Sequence, residues 1–302
     1  MLSDMAGVDL TVRAKKYSLY MPSMQISSAK SICMDADQWQ APRLPHNLEP
    51  SDFNYLDPSN RYWSYLYALA SAENFKGTEN NAITGRHAAS FILGDSGGFQ
   101  IGKGTGDAGR WKGYGEQKVS TAFRQTTILR DVTDWCEIHC NYAMTLDLPL
   151  WVRRPKFKAT PFHHCGVDTL LQLTLENLEY LQDRADKRCR YLNVLQGDKP
   201  SEEEHWYRGV KRFKFDGWSF AGGVGVNGGP YRILRRLLIM RDQKRLDPGY
   251  DWLHLLGLSQ YPWAPMMTAI QRGVRRFVKN EDFTISYDSS TPYRMASQYP
   301  RA

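Results

Sequence analysis

Short apolar runs alternate with amphipathic stretches along this chain. Residues 91–93, Phe-Ile-Leu, form a continuous apolar run of the kind a buried strand needs, and the run closes on Asp95, Ser96, Gly97 and Gly98. Similar runs predict strands at 141–147, 191–196, 217–221, 251–256 and 282–288, with a short one at 17–20. Helical spacing predicts helices between them. A helix over 61–75 would put Tyr62, Tyr65, Leu66 and Leu69 on one face. One long helix is read over 117–138, and another over 168–184 with Leu170, Leu171, Leu175, Leu178 and Leu181 in register. Residues 202–213 read as a helix capped by Ser201, and 231–244 as a basic one. A last helix over 265–278 would turn Ile270, Val274 and Phe277 inward and Arg272, Arg275, Arg276 and Lys279 outward.

Strand and helix repeated in this way imply a parallel sheet with crossover helices. The chemically interesting residues fall at predicted strand C-termini: Asp95, Asp147, Gln196, Gly223 and Asp288. An open doubly wound sheet would gather its site at one crevice. A spread over so many strand ends fits a (β/α)8 TIM-type barrel better, since that fold carries its site on this rim. The expected organisation is a single domain: an irregular, proline-punctuated segment over 1–60 packed on a catalytic barrel over 61–302. The glycine-rich stretch 101–116 reads as a mobile loop over the barrel mouth.

Composition narrows the partners. A formal charge of +7, a pI near 9.1, 9 Trp and 17 Tyr suit a polyanion and base stacking. The 5 cysteines are odd in number and suggest no disulfide framework, which implies a reducing, cytoplasmic setting. No apolar run approaches the ~18 residues of a membrane span.

Carboxylates converging on a barrel mouth suit chemistry at a sugar carbon. One can hold the sugar while a leaving group departs, and a second can move the proton. A third acid can accept from N–H donors of a ligand, and a side-chain amide can donate to a ligand carbonyl.

The stretch Asp95-Ser-Gly-Gly-Phe-Gln100 resembles the signature of the tRNA-guanine transglycosylase superfamily, whose members exchange guanine in nucleic acid for a 7-deazaguanine. Asp288, followed by Pro292 and Arg294, matches the family's nucleophile segment. By that resemblance Asp288 is the covalent nucleophile and Asp95 the general acid/base. Asp147 and Gln196 read the base, Gly222 and Gly223 floor its pocket, and Phe99 stacks on it opposite Leu256, with Ser96 alongside. The resemblance implies no metal at this site and no cofactor beyond the free 7-deazaguanine co-substrate. The tRNA enzymes carry a cysteine-rich zinc subdomain, and no cysteine follows Cys189 here, so the pattern is most similar to the phage and bacterial DNA-guanine transglycosylase branch. That branch modifies DNA against restriction, and companion modification proteins are expected beside it. The stretch 224–229 lacks the Glu that accompanies an aminomethyl donor, which implies a cyano donor (preQ0). The same chemistry on tRNA, or a non-catalytic nucleic-acid-binding subunit, are the alternative readings.

Arg153, Arg154, Lys156 and Lys158 follow a strand end and are expected to contact phosphates, as is Arg294. The arginines of 231–245 read equally as a phosphate track or a solvated helix face. Cys136, His139 and Cys140 have metal-binding spacing, with His163, His164 and Cys165 as the complement, but the two groups are expected at opposite barrel ends. Gly104-Thr-Gly-Asp-Ala-Gly109 matches a dinucleotide fingerprint without a strand directly before it.

Overall fold

The computed structural model describes residues 16–35, 48–184, 188–223, 228–258, 260 and 262–293. Eight parallel strands form one sheet: β1 (Leu19–Pro22), β2 (Tyr67–Ser71), β3 (Phe91–Asp95), β4 (Tyr142–Met144), β5 (Arg190–Leu195), β6 (Gly217–Phe220), β7 (Trp252–Leu255) and β8 (Thr284–Ser289). β1 pairs with β8, and the remaining strands follow in sequence back to β2. A bridge between Ser23 and Leu69, with the Met24 N–H donating to the Leu69 carbonyl at 2.9 Å, brings β1 against β2. Helices lie between successive strands, so the architecture is the expected (β/α)8 TIM-type barrel. Among the described residues no helix is long and apolar enough to cross a membrane.

Period-two alternation along the strands divides two cores. Ile92, Leu253, Leu255, Ile285 and Tyr287 face the helices, whereas Leu93, Leu192, Val194 and Trp252 fill the barrel interior. Aromatic rings close the lower barrel: Trp252 stacks on Phe91 with centroids 4.9 Å apart, and Tyr142 adjoins both. Below them, Arg190 reaches Asp216 and Asp251 and donates to the Tyr142 hydroxyl.

Several expectations are corrected. Within the predicted helix over 61–75 lies strand β2, whose five residues are all buried, and only the short turn Ala72–Phe75 is helical. A parallel strand covered on both faces reads as an unbroken apolar run, and Leu66 and Leu69 matched helical spacing by coincidence. The segment assigned to an irregular 1–60 extension supplies β1, so the barrel begins inside it. The single helix over 117–138 is two, Glu116–Arg124 and Ile128–His139. At the break the Thr126 hydroxyl donates to the Phe123 carbonyl and the Thr127 hydroxyl to Asp131, local bonds that compete with the helix.

The stretch 101–116 is not an open loop. Helix Gly98–Lys103 and the 3-10 turn Gly106–Trp111 anchor it through buried Ile101, Ala108 and Trp111. Helix Pro200–Val210 begins two residues early, with Lys199 rather than Ser201 at its cap and Pro200 in its first position. In helix Trp263–Val278, Phe277 faces solvent and Arg275 is buried, because the Arg275 guanidinium donates to the Phe283 carbonyl at 2.7 Å.

Candidate active site

The same alternation that packs the barrel interior aims chemistry at its mouth. Asp95 continues the inward face of Phe91 and Leu93, Gln196 that of Leu192 and Val194, and Asp288 that of Ser286. These side chains open onto a cavity of about 840 Å³ at the strand C-termini, lined by Asp95, Phe99, Asp147, Gln196, Gly222, Leu256 and Asp288 among others. The structure thus brings seven of the sequence-predicted site residues to one cavity.

Asp288 lies opposite Met21 in the β1–β8 register and is 8% exposed. Its Oδ1 accepts the Gly257 N–H at 2.7 Å and contacts His254 Nε2 at 3.3 Å. Gly257 turns the chain with φ of +73°, a left-handed conformation natural to glycine, directly after β7. Among the described residues Asp288 Oδ2 has no hydrogen-bond partner, so that oxygen is left to the cavity.

Asp95 ends β3, and its Oδ1 accepts the Gly97 N–H at 3.2 Å. Burial raises its pKa above the ordinary carboxylate value, the Gly97 bond opposes the rise, and the Asp288 charge adds to it. A carboxyl in this setting keeps its proton to higher pH than a solvated one. Asp147 lies beyond β4 in the extended segment that follows it. Burial pushes its carboxyl up to about 7, opposed by the Gln196 amide, which donates to Oδ2 at 2.5 Å, and aided by the Asp95 charge.

The Gly97–Gly98 pair serves the protein's own packing first. Gly97 has φ of +86°, and a Cβ there would lie 2.3 Å from the Glu73 side chain. A Cβ on Gly98 would lie 2.5 Å from the Asp147 carbonyl oxygen, so the second glycine lets the Asp147 segment close against the Asp95 turn. Gly222 lines the cavity beside Gln196 Oε1, whereas Gly223 packs against the Gly197 carbonyl and Arg232 away from it. Ser96 points out of the barrel, where its hydroxyl donates to the Thr145 carbonyl. Phe99 is 49% exposed at the mouth, 5.1 Å from the Trp151 ring, with Lys103 Nζ 4.6 Å from its own centroid.

The arginines of the basic loop are tied into the protein by ion pairs. Arg153 pairs with Glu202 at 2.9 Å, and Arg154 makes a two-pronged pair with Asp198, with a shortest contact of 2.7 Å. Lys156 lies over Phe157 and Lys158 is exposed. None of these four lines the cavity; the lysine that does is Lys103. Arg294 lies outside the described residues, as does 224–227, on which the choice of donor base rests. In helix Gly229–Asp242, Arg236 is fully buried between Glu203 and Glu204, and Arg232 pairs with Glu203, so these two arginines are structural.

Cys136 and Cys140 pack against Gly94, and no cluster of three or more His, Cys, Asp or Glu suited to a metal ion occurs among the described residues. Gly104–Gly109 falls where the helix Gly98–Lys103 passes into a 3-10 turn, a place with no strand before it.

Sequence reasoning missed His254, Lys103 and Trp151. The alternation Trp252, His254, Leu256 along β7 carries the signal for His254, since it shares an inward face with Leu256. Lys103 and Trp151 follow from tertiary placement of the segments after β3 and β4, which no local pattern records. No protein-family model matches this chain, and a search of curated proteins finds no match.

Proposed function

We propose that this protein is a nucleic-acid guanine transglycosylase that exchanges guanine in DNA for a 7-deazaguanine base through a covalent Asp288–sugar intermediate. The observation that carries the reading is the convergence of three carboxylates in distinct environments on one cavity. Asp288 is anchored by donors on one oxygen, Asp95 is poised to hold a proton, and Asp147 is joined to an amide. The order of the motifs in the sequence supplies the rest of the support.

In this mechanism Asp288 Oδ2 attacks C1′ of the target nucleotide. The C1′–N9 bond breaks, its electron pair passes to the guanine, and Asp95 protonates that base as it leaves. The incoming 7-deazaguanine gives its N9 proton to the Asp95 carboxylate and attacks C1′, and the bonding pair returns to Asp288. Acid and base are regenerated and one base replaces another, so the exchange balances without ATP or a redox partner. Asp147 and Gln196 read the base edge while Phe99 covers its face. A duplex target has to surrender its guanine from the stack before C1′ can approach Asp288.

The test offers purified protein radiolabelled preQ0 with duplex DNA in one vessel and unmodified tRNA in another. Label in DNA is the expected result. Label in tRNA alone would move the same chemistry to the other polymer. Label in neither, with guanine and other 7-deazaguanines equally inert, would overturn the reading.

A further inference from the structure

Behind Asp288 the barrel interior holds a chain of polar groups that base reading and proton transfer leave unused. His254 is fully buried on the inward face of β7, directly opposite Ser286 in the β7–β8 register. Its Nδ1 lies 2.8 Å from Ser286 Oγ, and its Nε2 lies 3.3 Å from Asp288 Oδ1. Ser286 Oγ in turn accepts the Trp252 indole N–H at 2.7 Å.

We infer that His254 is a positioning residue for the nucleophile, held by Trp252 and Ser286 as the Nε2–H tautomer so that it donates to Asp288 Oδ1 and leaves Oδ2 as the attacking atom.

Donor counting orders the chain. The indole nitrogen only donates, so a Ser286 lone pair receives it. The serine proton is then available to His254 Nδ1, which accepts it, and the imidazole proton resides on Nε2 facing the carboxylate. The reverse tautomer would point the Nε2 lone pair at a carboxylate oxygen, two acceptors face to face in a buried site. Three inward residues of two adjacent strands therefore fix one proton. With the Gly257 N–H, two donors converge on Oδ1 and none of the described residues bonds to Oδ2.

The chemical consequence rests on the proposed exchange. Forming the glycosyl ester removes charge from the Asp288 carboxylate, and releasing it restores that charge. Donors fixed on Oδ1 favour the charged form, so they aid Asp288 as a leaving group when the second base attacks. Loss of the His254 donor should retard release more than attack, and the covalent adduct should accumulate.

Two measurements test the inference. The first does not depend on activity: long-range proton–nitrogen NMR of histidine-labelled protein at pH 7, with the His254 signal assigned by its loss in His254→Gln. The expected pattern is a protonated Nε2 and a bare Nδ1, with Ser286→Ala disturbing it. A protonated Nδ1, in either the neutral or the imidazolium form, would overturn the inference whatever the protein catalyses.

The second compares exchange in His254→Leu and His254→Gln, the latter keeping an N–H near the Nε2 position. His254→Leu should lower kcat about tenfold with KM for the free base unchanged, raise the adduct seen on denaturing gels, and be substantially restored in His254→Gln. An unchanged kcat, or a change confined to KM, in a folded His254→Leu protein would overturn the positioning role. Should His254→Leu not fold, Ser286→Ala is read by the same criteria. A wild-type protein inert toward every base would defeat the proposed function and leave the tautomer measurement to decide this inference alone.

Discussion

Gln196 and Asp147 meet side chain to side chain, the amide donating to the carboxyl over 2.5 Å with the pair sealed at the barrel mouth. Burial is the main reason the Asp147 carboxyl rises to about 7. A guanine edge presents N–H donors, so it favours the ionised carboxylate. Guanine affinity should therefore climb about tenfold in all between pH 6 and pH 8, mostly below pH 7, and Asp147→Asn should bind weakly with a flat profile. Calorimetric titration of guanine across that range checks both.

The same shift acts on stability with the opposite sign. A carboxyl whose folded pKa is raised stabilises the fold fully below its unfolded value of about 3.9 and loses that contribution as pH rises through about 7. Urea unfolding of the unliganded protein should show Asp147→Asn gaining on wild type between pH 5 and pH 8. Parallel curves would contradict the assignment of the shift to Asp147.

Phe99 is half exposed, so its removal should spare the fold. Phe99→Ala should change stability by no more than about 0.5 kcal/mol. It should weaken base binding by about 1–3 kcal/mol if the ring stacks on the base. Thermal unfolding and base titration of the one variant separate these; a lowered Tm with unaltered binding would make Phe99 a packing residue only.

The two arginine groups near the site should respond differently. Glu203→Gln leaves the fully buried Arg236 guanidinium without its principal partner and should destabilise the protein by about 3–5 kcal/mol. Arg154→Ala breaks a pair with Asp198 that is a third exposed, and should cost about 0–1 kcal/mol. Urea titrations compare them directly.

How much was legible in the sequence follows from where the information resides. Strands β3, β5, β6, β7 and β8 announce themselves as short apolar runs closing on Asp95, Gln196, Gly222, Gly257 and Asp288, and a parallel barrel places such ends on one rim. β2 was read as a helix because Tyr67-Ala-Leu-Ala-Ser71 is apolar on both faces and has no alternation to identify it. Phe277 and Arg275 exchanged their expected sides because a single bond to the Phe283 carbonyl outweighs hydrophobicity at that helix end. The charges of Arg153 and Arg154 are visible in sequence, but their carboxylate partners come from the segment after β5, some 44 to 49 residues away, and only the fold introduces them. Ser96 sits next to Asp95, yet the period of two sends it to the opposite face.

The central claim is the covalent role of Asp288, and mass spectrometry of the trapped complex tests it most directly. Protein incubated with guanine-containing DNA without an incoming base, then denatured and digested, should yield a peptide carrying the sugar on Asp288, and Asp288→Asn should yield none while still binding DNA. Exchange that proceeds with no adduct, or with the sugar on Asp95 instead, would contradict the account.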